Sequence, residues 1–169
     1  MTTDNLRAAG WTAAPHPVSD PESAALLRAY YTELIERFYG RPTDEEELGA
    51  VLAEEPSDDL TAPTGAFFVA RWEDGRPAGC VGVRVMDATT TELTRMYVAP
   101  QARGQGVAGL LVGLAERAAR DRFRAARMRL DTRKDLVEAR ALYARHGYAE
   151  IARYNDSPYA DHWFEKPLR

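Results

Sequence analysis

The chain has 169 residues, 22 of them Lys or Arg and 26 Asp or Glu, for a formal net charge of −4 and an apolar fraction of 45%. That is enough for one globular domain with its own core, and the balance gives no reason to expect a basic nucleic-acid surface. A lone cysteine, Cys80, excludes an internal disulfide framework or a cysteine-built zinc cluster, no apolar run approaches the roughly 18 residues of a membrane span, and the first residues lack the apolar core of a signal peptide. We therefore expect a single domain over 1–169, cytoplasmic, with no membrane or nucleic-acid partner.

Trp11 to Val18, interrupted by Pro15 and Pro17, suits a short edge strand. Ser19 with Glu22 reads as a capping box, with Pro21 in the first turn, and opens a helix whose Leu26, Leu27, Tyr30, Tyr31, Leu34, Ile35 and Phe38 recur at helical spacing until Gly40. Thr43 with Glu46 suggests a second box and a shorter helix carrying Leu48, Val51 and Leu52, closed by Pro56. The acidic run from Asp44 to Glu47 falls at its start, where a helix dipole favours negative charge.

From Ala66 the period changes to that of strands. AFFVARWE, the Asp74-Gly75 turn, AGCVGVRVM, the turn ATTT and ELTRMYV predict a three-stranded antiparallel meander stopped by Pro100. The glycine-rich RGQGVAG then leads into a helix with Val107, Leu110, Leu111, Leu114 and Ala118 on its apolar side. ARMRLDT is a strand, residues 135–146 a helix with Leu136, Ala139, Leu142 and Tyr143 on one side, Gly147 its cap, and YAEIARY and HWFEKPL two closing strands. This order suggests an α+β or mixed-sheet α/β fold.

Gly104, Gly106 and Gly109 match G-x-G-x-x-G literally, and Asp131 lies on a strand roughly 20 residues further on, where a ribose-binding carboxylate would stand. Two features weigh against the dinucleotide reading: residues 99–103 separate the strand from the first glycine, and the loop follows an antiparallel meander rather than opening a parallel βαβ unit. No Lys-Ser or Lys-Thr follows the glycines, which excludes a Walker loop. Accessible backbone N–H groups at a helix N-terminus still suit a pyrophosphate, with Arg103 as a cation at its edge; the competing reading is a tight turn that binds nothing.

The wider segment ELTRMYVAPQARGQGVAGLLVGLAERA, with RLDT and EARALYARHGY beyond it, resembles the GNAT superfamily of N-acetyltransferases. The signature R/Q-x-x-G-x-G/A is met by Arg103, Gly106 and Ala108, with Val-x-Pro before it and Ala-x-x-Leu-Tyr-x-x-x-Gly-Tyr after it; the resemblance covers about residues 66–169. It implies a mixed, mostly antiparallel sheet of six to seven strands with about four flanking helices, whose central strands splay apart around the pantetheine arm of acetyl-CoA. Met96, Tyr97 and Val98 would offer backbone groups to pantetheine and the acetyl carbonyl. The N–H groups of Arg103, Gly104, Gln105, Gly106, Val107 and Ala108 would hold the pyrophosphate, and Ala139 and Tyr143 would line the other side. The superfamily often has Asn seven residues before the helix tyrosine, where this chain has Leu136, so one polar cofactor contact is absent or replaced.

Amide formation needs an amine that has lost its proton, donors for the developing oxyanion and a proton for the departing thiolate. The resemblance implies Tyr143 as the acid that protonates the thiolate and Glu92, six residues before Val98, as the base; packing tyrosine and solvated strand-edge glutamate are the plainer alternatives. Tyr30, Tyr31 and Glu33, with Arg37 and Tyr39 further along the first helix, are acceptor-pocket candidates, as are Tyr154, Asp156, Tyr159, Asp161, His162 and Trp163 in RYNDSPYADHW. His16 and His146 lack metal-ligand spacing, so no metal is expected, and Cys80 reads as core. The expected activity is acetyl transfer from acetyl-CoA to the primary amine of a small molecule, in a ternary complex. The alternatives are a protein acceptor, a non-catalytic acyl-CoA sensor and a nucleotide-binding oxidoreductase. Dimers are frequent in the superfamily, which brings a homodimer into view.

Overall fold

A computed structural model describes residues 10–169 and the backbone of the strand Leu6–Ala8. In chain order the elements are β1 (Leu6–Ala8), β2 (Trp11–Pro15), α1 (Pro21–Tyr39), α2 (Glu45–Glu54), β3 (Gly65–Trp72), β4 (Pro77–Val85), β5 (Thr90–Val98), a 3₁₀ turn (Pro100–Ala102), α3 (Val107–Asp121), β6 (Arg127–Thr132), α4 (Val137–Arg145), β7 (Ala149–Ile151) and β8 (His162–Pro167). The strands form one sheet in the order β1-β2-β3-β4-β5-β6-β8-β7. Every neighbouring pair is antiparallel except β5 and β6, which are joined through α3 and run parallel. The mixed sheet with four flanking helices is the architecture the sequence implies. β1 pairs with β2 as an outer hairpin and brings the sheet to eight strands.

Both faces of the meander are buried, so β3 and β4 read as near-continuous apolar runs. One face, with Phe68, Val81 and Val83, packs on Val107, Leu111, Leu114, Ala115 and Ala118 of α3. The other, with Phe67, Val69 and Cys80, packs on Leu26 and Leu27 of α1 and on Leu60. The lower end of α1 makes a separate seam with α2 through Tyr31, Ile35 and Leu48.

The caps of α1 and α2 each lie one residue beyond the expected hydroxyl residue. Asp20, not Ser19, caps α1 by accepting from the Glu22 N–H at 3.0 Å, and Asp44, not Thr43, caps α2 by accepting from the Glu47 N–H at 2.8 Å. A carboxylate next to the hydroxyl takes the cap because its charge adds to the hydrogen bond at the positive end of the helix. Thr43 instead donates its hydroxyl to Glu47 at 2.6 Å. Gly40 closes α1 with φ 69°, as its position after the apolar stripe suggests. β5 starts at Thr90 rather than Glu92, because the Met86 N–H to Thr90 carbonyl bond closes a tighter turn. Of YAEIARY only Ala149–Ile151 stays in the sheet; the following residues leave its edge and lie over the neighbouring strands.

Candidate active site

β5 and β6 pair only at Thr90, Thr91 and Glu92 against Arg127, Met128 and Arg129. Beyond that point the two strands part, and residues 93–98 of β5 have no ladder partner on β6. A bulge in β5 accentuates the parting: Arg95 and Met96 together face the single residue Val81 of β4, and Arg95 takes φ 56°. A left-handed arginine is strained and must be held from outside. The residue is 7% exposed, and its guanidinium donates to Ser57 Oγ at 3.2 Å, Thr94 Oγ1 at 2.9 Å and the carbonyls of Glu55 and Pro56, and lies over the Tyr31 ring. The loop after α2 thus fixes the kink that separates Met96, Tyr97 and Val98 from β6, leaving a strand edge able to pair with an amide-bearing ligand.

At the end of this edge stands α3. Its N-cap residue is Gly106, φ 87°, preceded by Gly104, φ 76°; no side chain caps the helix and its first turn holds no acid, in contrast to α1 and α2. The first N–H groups of an α-helix have no partner inside it, and Leu110 is the first residue here whose N–H is satisfied, by the Gly106 carbonyl at 3.1 Å. A Cβ built on Gly104 or Gly106 would meet nothing within 4 Å. The loop is therefore an open cradle of donors at the positive end of a dipole, and it fits a pyrophosphate. The Arg103 side chain folds back to donate to the Val98 carbonyl at 2.9 Å and to Glu33 of α1 at 2.6 Å. Gln105 turns away, donating to the Gln101 carbonyl at 3.0 Å.

Strand edge and cradle open into one cavity of about 870 Å³, within the range of small-molecule sites. Its lining includes Tyr30, Tyr31, Glu33, Glu92, Met96, Tyr97, Val98, Arg103, Gly104, Gly106, Val107, Ala108, Ala139, Tyr143 and Tyr159; of the residues expected to bind the cofactor only Gln105 is missing. Leu136, where the superfamily often has Asn, also lines it and sits at the N-terminus of α4 without capping it. Tyr143 is 5% exposed, packed edge-to-face on Tyr148, and its hydroxyl has no hydrogen-bond partner among the described residues. Burial, and secondarily the Asp131 carboxylate, push that phenol up, so it stays protonated. Glu92 accepts from Tyr154 Oη at 2.8 Å on one oxygen and from Arg84 Nη1 at 3.1 Å on the other. Burial lifts its pKa above the ordinary glutamate value, with Asp131 adding to the rise while Tyr154 and Arg84 oppose it.

The remaining candidates scatter. His162 pairs with Glu150 at 2.7 Å, Asp156 with Arg153, and Asp161 accepts from the Lys134 N–H; none lines the cavity. Trp163 and Tyr154 stand behind it, Trp163 donating to Asn155 Oδ1 at 2.9 Å. Arg37, Tyr39 and His146 also line it. Cys80 is fully buried in the core, with its thiol pushed up by burial. His16 does meet acids: Asp20 at 3.1 Å and Glu22 at 3.6 Å, through a turn that also forms the α1 cap, while Glu22 is held by Arg71 at 2.8 Å. Sequence reasoning missed Arg84, Thr94, Asn155 and Arg95 as supports; Arg84, Arg95 and Asn155 reach partners 24 to 40 residues away, and Thr94 acts only through its neighbour Arg95, so no local pattern marks them. Asp131 carried a local signal, but for a ribose.

No curated protein matches the chain, but its solved relatives are numerous. An acyl-CoA N-acyltransferase from Klebsiella pneumoniae is 27% identical, with TM-score 0.73 over 96% of this chain and 100% of that one. A GNAT family acetyltransferase from Elizabethkingia anophelis, solved with acetyl-CoA bound, is 16% identical, with TM-score 0.65 over 95% and 100%. The spermidine N-acetyltransferase of Vibrio cholerae, solved with CoA and spermine, is 15% identical, with TM-score 0.66 over 95% and 97%. These two share the fold. The family model described as the Acetyltransferase (GNAT) family matches residues 26–148, spanning α1, the splayed strands, the glycine cradle and α4. The chain belongs to the GNAT family of acetyltransferases.

Proposed function

We propose that the chain transfers the acetyl group of acetyl-CoA to the primary amine of a small molecule, by direct attack in a ternary complex. The observation that carries this reading is the union, in one cavity, of an uncapped glycine cradle and an unpaired strand edge. The cradle N–H groups and Arg103 bind the pyrophosphate, and the β5 edge at Met96, Tyr97 and Val98 binds the pantetheine amides in place of a ladder partner. Ala139 and Tyr143 line the opposite bank.

Glu92 takes the proton from the acceptor ammonium, directly or through water, so that the nitrogen lone pair can attack the acetyl carbonyl. A backbone N–H near Tyr97 or Val98 donates to the carbonyl oxygen as charge builds there. Tyr143 gives its phenolic proton to the sulfur as the C–S bond breaks, and the nitrogen of the new amide gives its extra proton to the resulting tyrosinate, which restores the phenol. No step calls on a nucleophilic side chain of the protein, and the one thiol, on Cys80, is sealed in the core. Spermidine as the substrate of the Vibrio relative supports a small-molecule acceptor.

Calorimetric titration with acetyl-CoA, with NAD in parallel, tests the binding claim: acetyl-CoA binds and NAD does not. The reverse result would return the glycine loop to a dinucleotide reading. Tyr143→Phe, assayed by CoA release from a turned-over amine, should lower kcat by about 100-fold or more, a usual range for losing a general acid, with acetyl-CoA affinity unchanged. Unaltered turnover would end the assignment of Tyr143.

A further inference from the structure

The acceptor end of the cavity holds a second carboxylate, Asp131, that the roles above do not use. Along β6 the half-exposed residues alternate with buried ones, so Arg129 and Asp131 share a face. Arg129 is the register partner of Glu92, so Asp131 is one step further along, where β6 has left β5. It lines the cavity with Glu92 and Tyr143, and its charge is felt at both.

The segment between β7 and β8 holds these two carboxylates with consecutive residues. Tyr154 donates to Glu92 at 2.8 Å, and Asn155 Nδ2 donates to Asp131 Oδ2 at 2.7 Å, with Asn155 itself fixed by Trp163 Nε1. The outcome differs for the two acids. Glu92 has a donor on each oxygen. Asp131 has one neutral donor, on Oδ2, and no hydrogen bond to Oδ1 or ion pair among the described residues.

The nearby cations are committed elsewhere. Arg84 is shared between Asp59 and Glu92, Arg129 pairs with Glu165 at 2.9 Å, Arg133 pairs with Asp135 at 2.8 Å, and Arg95 is bound to Ser57, Thr94 and two carbonyls. A cavity-facing carboxylate with a free oxygen and no cationic partner among the described residues is placed to receive a cation from the ligand.

We propose that Asp131 anchors the acceptor as its ammonium, and that the Asp131–Glu92 pair selects primary amines with no carboxylate beside the nitrogen. This rests on the acetyltransferase reading and narrows its acceptor class. The free oxygen receives an ammonium N–H and holds the nitrogen between the base and the acetyl carbonyl. A free α-amino acid would bring its carboxylate against two like charges, while the guanidiniums of Arg84, Arg95, Arg129 and Arg133 are already engaged. The class that fits is the aliphatic amine or the decarboxylated amino acid.

The test uses matched pairs that differ only by that carboxylate: 2-phenylethylamine with phenylalanine, and agmatine with arginine. Each is titrated calorimetrically into the CoA-loaded chain, and each is assayed for CoA release from acetyl-CoA. The amine of each pair should bind at least ten-fold tighter than its amino acid. Asp131→Asn should weaken the amine at least ten-fold, with acetyl-CoA affinity and melting temperature unchanged, since an amide oxygen still accepts from Asn155. Equal affinity within both pairs overturns the proposal, as does failure of all four probes to bind or unaltered amine affinity in Asp131→Asn. Failure of the wild-type chain to bind acetyl-CoA would be a different result, bringing down the acetyltransferase reading and this proposal together.

Discussion

Burial moves Glu92 and Tyr143 in the same direction, and that direction suits opposite tasks. A phenol pushed up remains a proton donor at neutral pH, while a carboxylate pushed up becomes a stronger base. The rise at Glu92 is held in check by Tyr154, whose hydroxyl donates to the ionised form. Tyr154→Phe removes that donor, so the Glu92 pKa rises further. The base is active when ionised, so the acid limb of kcat/KM against pH should move to higher pH in Tyr154→Phe. A limb that stays where it is in the wild type, or moves to lower pH, would show that Glu92 is not the group titrating. Glu92 was legible in the sequence through its offset from the Val-x-Pro motif. Tyr154 was named only as one of several aromatic candidates, because its partner is 62 residues away and the contact exists only once β6 and β8 pair.

Among the elements, the helices divide by how they begin. Asp20 and Asp44 close the N-termini of α1 and α2, while α3 and α4 have no side-chain cap; α4 carries Glu138 in its first turn, whereas α3 begins at a left-handed glycine with no acid there. A helix left uncapped next to a cavity forgoes stability that its neighbours take, which marks its end as a binding feature. Asp20→Ala should therefore lower Tm by roughly 2–4 °C for a chain of this size, with acetyl-CoA affinity unchanged because Asp20 does not line the cavity. An unshifted Tm would show that water satisfies the N–H groups at the start of α1 as well as Asp20 does. Strand and helix periods placed nearly every element, since they follow from which face is buried. The starts of α1 and α2 were misjudged by one residue each: Ser19-Asp20 and Thr43-Asp44 both offer adjacent caps, and the charge of the carboxylate decides between them. The splay of β5 from β6, on which the site depends, came from the resemblance alone. Its physical cause, the Arg95 bulge held by the loop after α2, leaves no mark in the alternation of ELTRMYV.

At the scale of the molecule, α1 is the member that joins the two banks of the cavity. Its first half is held by apolar packing of Leu26 and Leu27 on the meander and by Glu22 on Arg71 of β3. Its second half reaches across the opening with charge. Glu33 binds Arg103 beside the glycine cradle, Arg37 binds Glu138 of α4 and the Asp135 carbonyl, and Arg133 donates to the Leu34 carbonyl. No helix among the described residues is long and apolar enough to cross a membrane. Each exposed pair of this kind is worth only about 0.2–1 kcal/mol. In the proposed complex the Arg103 guanidinium keeps N–H donors free for the pyrophosphate, but Glu33, 2.6 Å from its Nη2, offsets its positive charge and places a carboxylate near the phosphates. Glu33→Gln removes the competing charge and should tighten acetyl-CoA binding by up to about five-fold at low ionic strength. The gain should shrink toward nothing as salt screens the pair in the wild type. Weaker binding of acetyl-CoA by Glu33→Gln would overturn this account, because Glu33 would then be orienting Arg103 for the phosphates rather than offsetting its charge.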